Sequence, residues 1–83
     1  MTTEKIRDLR AIIETLVIAE GREARSYDFY AKAAQRTQNE AARKMLLALA
    51  EEEEQHRGDM GRRIAEFQAE LEKELRRGKT ERV

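Results

Sequence analysis

From Ile6 to Ala34 one row of positions recurs at alternating steps of three and four: Ile6, Leu9, Ile13, Leu16, Glu20, Glu23, Tyr27, Tyr30 and Ala34. That spacing holds residues on one face of an α-helix, which turns once in about 3.6 residues. A strand is excluded, because its faces alternate every second residue. A second row follows in steps of three or four: Ala42, Leu46, Leu49, Glu53, His56, Met60, Ile64, Phe67, Leu71 and Leu75. No proline interrupts either row. The break falls at "RTQNE" (Arg36 to Glu40), where Thr37 and Asn39 disfavour a helix interior and Asn39 suits an N-cap.

The pattern predicts an all-α chain, a single antiparallel two-helix hairpin over residues 1–83. Helix 1 is expected over about 3–36, the turn over 37–39 and helix 2 over 40–77. Thr2 or Thr3 can cap helix 1, with Glu4 favourable in its first turn. Gly78, after Arg76 and Arg77, is the expected C-cap of helix 2. Gly58 and Gly61 lie inside helix 2, each costing about 1 kcal/mol against alanine. They mark a close approach or a kink, or are simply tolerated.

Two helices cannot close a core. Ile12, Val17 and Ile18 widen the apolar surface of helix 1, and Met45 and Leu47 that of helix 2. The expectation is an oligomer, most simply a two-fold homodimer forming a four-helix bundle, with a further interface beyond it.

Several function classes drop out. There is no cysteine, hence no disulfide framework, zinc ribbon or iron–sulfur site. Seventeen basic and seventeen acidic side chains cancel, so the total charge gives nucleic-acid binding no support. The basic "RRGKTERV" reads as a solvated helix end. No stretch is apolar enough to span a membrane, and the polar N-terminus does not read as a signal peptide. A cytoplasmic location is expected.

The rows are apolar except at one level, where Glu20 and Glu23 interrupt the first and Glu53 and His56 the second. About a turn centred on Gln38, Glu23 and Glu53 are each 15 residues away, and Glu20 and His56 each 18. At about 1.5 Å per residue, each pair shares a depth of roughly 22–27 Å from the turn. The seam offers no lysine or arginine there. Buried carboxylates cost several kcal/mol each unless compensated, and a metal is one compensation. A two-fold dimer would gather four carboxylates and two imidazoles from Glu23, Glu53 and His56, a charge that two divalent cations neutralise. Such oxygen-rich sites with one imidazole per metal favour iron or manganese over zinc. Glu53 and His56, three apart, share one helix face. Within "EEEEQH", Glu51 and Glu54 are expected to face water, and Glu52 is the competitor of Glu53 for the inward place. Glu20 is an additional or alternate metal-binding candidate, an acid at the entry to the site, or an interface acid paired with an arginine.

The segments "EARSYDFYAKAA" (Glu23 to Ala34) and "LALAEEEEQH" (Leu47 to His56) resemble the ferritin-like superfamily, in particular rubrerythrin-type hairpins. The two-helix encapsulated ferritin-like proteins look closest. The likeness rests on a glutamate seven residues before a tyrosine (Glu23, Tyr30), followed by Glu-x-x-His thirty residues on (Glu53, His56). It implies a ferroxidase that oxidises ferrous iron with dioxygen at a di-iron site shared between two chains. Glu23, Glu53 and His56 would be its catalytic ligands, with Tyr30 beside them. It implies two irons per dimer, with manganese or zinc as substitutes, a ring of dimers, and iron storage or detoxification inside an encapsulin shell. The chain departs from the pattern in two respects. There is no Cys-x-x-Cys, so a rubredoxin-bearing peroxidase is not expected. Arg22 and Arg25 flank Glu23 where encapsulated members can carry carboxylates that guide iron inward. The alternative functions are a non-catalytic metal-binding module and a metal-free helical oligomerisation module.

Overall fold

The computed structural model describes residues 2–81, with side chains described for residues 3–78. Two helices, α1 (Thr2–Arg36) and α2 (Glu40–Glu81), pack as a hairpin 67 Å long and 14 Å across. Helix α1 begins at Thr2, so Thr3 is already inside it. A cap from Thr2 lies outside the described side chains.

The turn at residues 37–39 is closed by side chains. Asn39 caps α2: its Oδ1 accepts from the Ala42 amide at 3.0 Å, and its carbonyl accepts from the Arg43 amide at 2.9 Å. The carbonyls that end α1 have no glycine cap. Arg43 serves instead, donating from Nε to the Ala34 carbonyl at 3.3 Å and from Nη2 to the Thr37 carbonyl at 2.8 Å. Its Nη1 also reaches Glu40 at 3.1 Å. One guanidinium thereby ties the start of α2 to the end of α1 and satisfies carbonyls left orphaned by the helix end.

The other end of α2 differs from expectation. The helix continues past Gly78 to Glu81 rather than stopping there. A glycine C-cap needs a left-handed backbone, and no described glycine has a positive φ. Gly78 is an interior helical glycine, carried by helix-forming neighbours.

The core is one line of contacts. Leu9 and Ala34 are buried from α1, and Ala50 and Ile64 from α2. Nine of the fifteen buried and half-buried positions described in α2 recur every seven residues: Ala50, Arg57, Ile64 and Leu71 in one row, Leu46, Glu53, Met60, Phe67 and Glu74 in the other. This 3.5-residue repeat is what a supercoiled helix pair presents to its partner. It corrects the apolar row in three places: Leu49, His56 and Leu75 stand one position off the seam, and His56 and Leu75 are exposed. Among the described residues no large side chain is fully buried. Val17, Ile18, Phe29, Met45 and Leu47 remain exposed, because a pair of helices encloses only the line between them.

The seam also buries a charge that the apolar row passes over. Glu74 is 3% exposed, and its carboxylate receives Lys5 Nζ from α1 at 3.1 Å and Arg77 Nη1 at 3.1 Å. The hydrogen bond from Lys5 holds the Glu74 carboxyl below the usual glutamate range; burial opposes this, and the charge of Arg77 assists.

Candidate metal centre

Glu23 on α1 meets Glu53 and His56 on α2. One ligand atom from each lies within 4.8 Å of the other two. His56 Nδ1 is 3.6 Å from Glu23 Oε2, beyond hydrogen-bonding distance. Glu23 Oε2 is buried and has no hydrogen-bond partner. The Glu23 side chain is 22% exposed and that of His56 57%, so the group begins in the seam and opens to one side of the hairpin.

The pairing differs from the depth count, for a geometric reason. Side chains on a helix lean toward its N-terminus. In this hairpin those of α1 lean away from the turn and those of α2 toward it. A residue of α1 therefore meets α2 somewhat farther from the turn than its own depth. Glu23 reaches both Glu53 and His56, while Glu20 passes His56 altogether. A Cβ built on Gly61 would stand 3.3 Å from Glu20 Oε2. Glu20 thus packs over Gly61 and stands outside the three-residue group. Gly61 provides a close approach for that carboxylate, whereas Gly58 is exposed.

The glutamate run divides by register. Glu53 is half-buried and joins the group; Glu51, Glu52 and Glu54 are exposed. Glu54 pairs with Arg57 at 3.3 Å. Arg57 corrects the expectation that no basic residue sits at this level of the seam: it lines a groove with Val17, Glu20, Gly21 and Ala24. Counting one heptad back from Ile64 would have found it, whereas following apolar residues led to His56. Tyr27 is exposed, and Tyr30 is half-buried with its ring edge-on to Phe29, centroids 5.6 Å apart.

The arrangement suits a cation. Two carboxylates and an imidazole face one point, and one carboxylate oxygen there is both desolvated and unpaired. A buried acceptor without a donor costs about 1–3 kcal/mol, more when charged. A divalent ion would supply what the protein does not, and the oxygen-rich donor set fits iron or manganese.

Among protein families, the model described as Rubrerythrin matches residues 3–83, nearly the whole chain. No curated protein and no solved structure matches it.

Proposed function

This chain belongs to the rubrerythrin family of the ferritin-like superfamily, and we propose that it oxidises ferrous iron with dioxygen at a dinuclear site formed when two hairpins pair. The family is one of iron-binding, redox-active di-iron proteins. The observation that carries the reading is the unpartnered, buried Glu23 Oε2, set among the donor atoms of Glu53 and His56.

A single hairpin offers three protein ligands on a group open to one side. Pairing two such sides about a two-fold axis doubles the set to four carboxylates and two imidazoles, the ligand count of dinuclear carboxylate bundles. It would also cover apolar surface that the lone hairpin leaves exposed. Glu23 and Glu53 would bind and balance the charge of the ferrous substrate, and His56 would fix its position with a neutral donor. Iron held there supplies the one-electron change from Fe(II) to Fe(III), with dioxygen as the class of acceptor. Glu20, over Gly61, would serve as a nearby acid rather than a fourth ligand from the same chain. Assembly of the dimers into a ring, and enclosure in an encapsulin shell, are further parts of this proposal and rest on the likeness of the Glu23, Tyr30, Glu53 and His56 pattern. Among the described residues, no helix is long and apolar enough to cross a membrane.

The test is aerobic addition of ferrous iron to metal-free protein while following ferric absorbance. Rapid oxidation in the wild type, lost in His56→Ala and Glu53→Ala and kept in the exposed control Glu54→Gln, supports the reading. Tight binding without oxidation would replace it with a passive metal site. Absence of stoichiometric metal would remove both.

A further inference from the structure

From one residue before Glu23 to two turns after it, the outer face of α1 carries a feature that the metal reading does not use. Arg22, Arg25, Ser26, Phe29 and Tyr30 line an open groove of about 410 Å³. All six arginines among the described side chains of α2 pair with a carboxylate three or four residues away. No arginine among the described side chains of α1 makes such a pair, and of these Arg22 and Arg25 share one groove. For Arg22 the sequence provides no acid at these spacings: Ile18, Ala19, Arg25 and Ser26 occupy them. For Arg25 the one available acid is Asp28, and the structure forms no pair with it. Arg25 instead folds back toward Gly21, where a Cβ would stand 3.6 Å from its Nη1. Phe29, 69% exposed, walls the far side of the groove.

Two guanidiniums one turn apart repel each other unless an anion lies between them. Each presents a planar fork of donors that matches tetrahedral oxyanions, and Ser26 adds a hydroxyl donor on the same face. We propose that the Arg22–Arg25–Ser26 groove is an oxyanion site whose ligand is inorganic phosphate. The site is on one hairpin and needs no metal. The binding does not rest on the ferroxidase reading.

The experiment is titration of the metal-free protein with inorganic phosphate at low ionic strength, read by calorimetry and by phosphorus NMR line width. The variants are Arg22→Gln with Arg25→Gln, and Arg10→Gln as a control arginine elsewhere on α1. Glutamine keeps helix propensity near that of arginine, and circular dichroism checks that the helices remain. Saturable binding that weakens by about tenfold or more in the double variant, and is unchanged in Arg10→Gln, is the expected result. The proposal is overturned if wild-type protein does not bind saturably. It is equally overturned if the double variant binds as the wild type does, or if Arg10→Gln weakens binding as much as the double variant. Because metal is absent throughout, failure here leaves the ferroxidase reading standing, and failure of that reading leaves this one.

Discussion

His56 Nδ1 faces Glu23 Oε2 across the two helices at 3.6 Å, close enough to share a cation and too far to share a proton. The carboxylate oxygen has no other partner. This is a poor arrangement for a metal-free protein and a good one for a metal-binding protein, so stability and binding are expected to move in opposite directions.

Glu23→Gln tests that opposition. The amide removes the charge and supplies a donor that Glu53 can accept. Metal-free protein should gain about 1 kcal/mol, the scale of one hydrogen bond made where none existed. Metal affinity should fall by at least about tenfold, since losing even an outer partner of a ligand costs 10–100-fold. Thermal melts of metal-free protein and a metal titration check the two halves. A variant less stable without metal would refute the account of Glu23.

Metal binding and assembly should be coupled if the site is shared. A ligand bound only by the assembled form stabilises it by about 2.7 kcal/mol at a hundred times its dissociation constant. Native mass spectrometry with iron and with chelator is the measurement. Chelation is expected to lower the oligomeric mass, and an unchanged mass would argue against ligands drawn from two chains.

The two mid-helix glycines should respond differently to alanine. At Gly58 an added Cβ meets only Arg62 Nη1 at 3.7 Å, an ordinary contact. Gly58→Ala should therefore raise stability by about 1 kcal/mol, the helix-propensity gain. At Gly61 the added Cβ meets Glu20 Oε2 at 3.3 Å, and the carboxylate must shift. Gly61→Ala should gain less than Gly58→Ala in the same denaturation experiment.

The Lys5–Glu74 pair makes a pH-dependent contribution of known sign. The folded-state pKa of Glu74 is lowered, first by the Lys5 hydrogen bond. Its contribution is therefore complete above the ordinary glutamate value, roughly 4.3. It is lost as pH falls below that value and through the lowered one. Lys5→Met should be less stable than wild type at neutral pH, and the difference should shrink on acidification. Melting temperatures of both proteins across this range are the check; a constant difference would contradict the assignment.

Arg43→Ala removes two hydrogen bonds, from Nε to the Ala34 carbonyl of α1 at 3.3 Å and from Nη2 to the Thr37 carbonyl of the turn at 2.8 Å. At about 0.5–1.5 kcal/mol for each bond, the loss should be roughly 1–3 kcal/mol. Hydrogen exchange should rise first at residues 33–39, because the last turn of α1 is what the guanidinium holds.

Much of this was legible from residue order. The three-and-four spacing determined two helices, the "RTQNE" break determined the turn, and Asn39 was identifiable as the cap that Ala42 and Arg43 now use. The three-residue step from Glu53 to His56 put both on one helix face, and helical register set Glu53 apart from its neighbours in the glutamate run. These are consequences of one helix at a time, and the 3.6-residue period suffices for them.

What passed between helices had to come from tertiary structure. Sequence depth matched His56 with Glu20, whereas the opposite lean of side chains on antiparallel helices gives His56 to Glu23 and sends Glu20 over Gly61. The three-and-four step selected Leu49, His56 and Leu75 as the seam, whereas the packed pair follows a seven-residue repeat and buries Ala50, half of Arg57, and Glu74. A period fixes which residues share a face. Only the packing of two faces decides which side chains meet across it, because that depends on the relative direction, tilt and stagger of the helices, which neither helix carries alone.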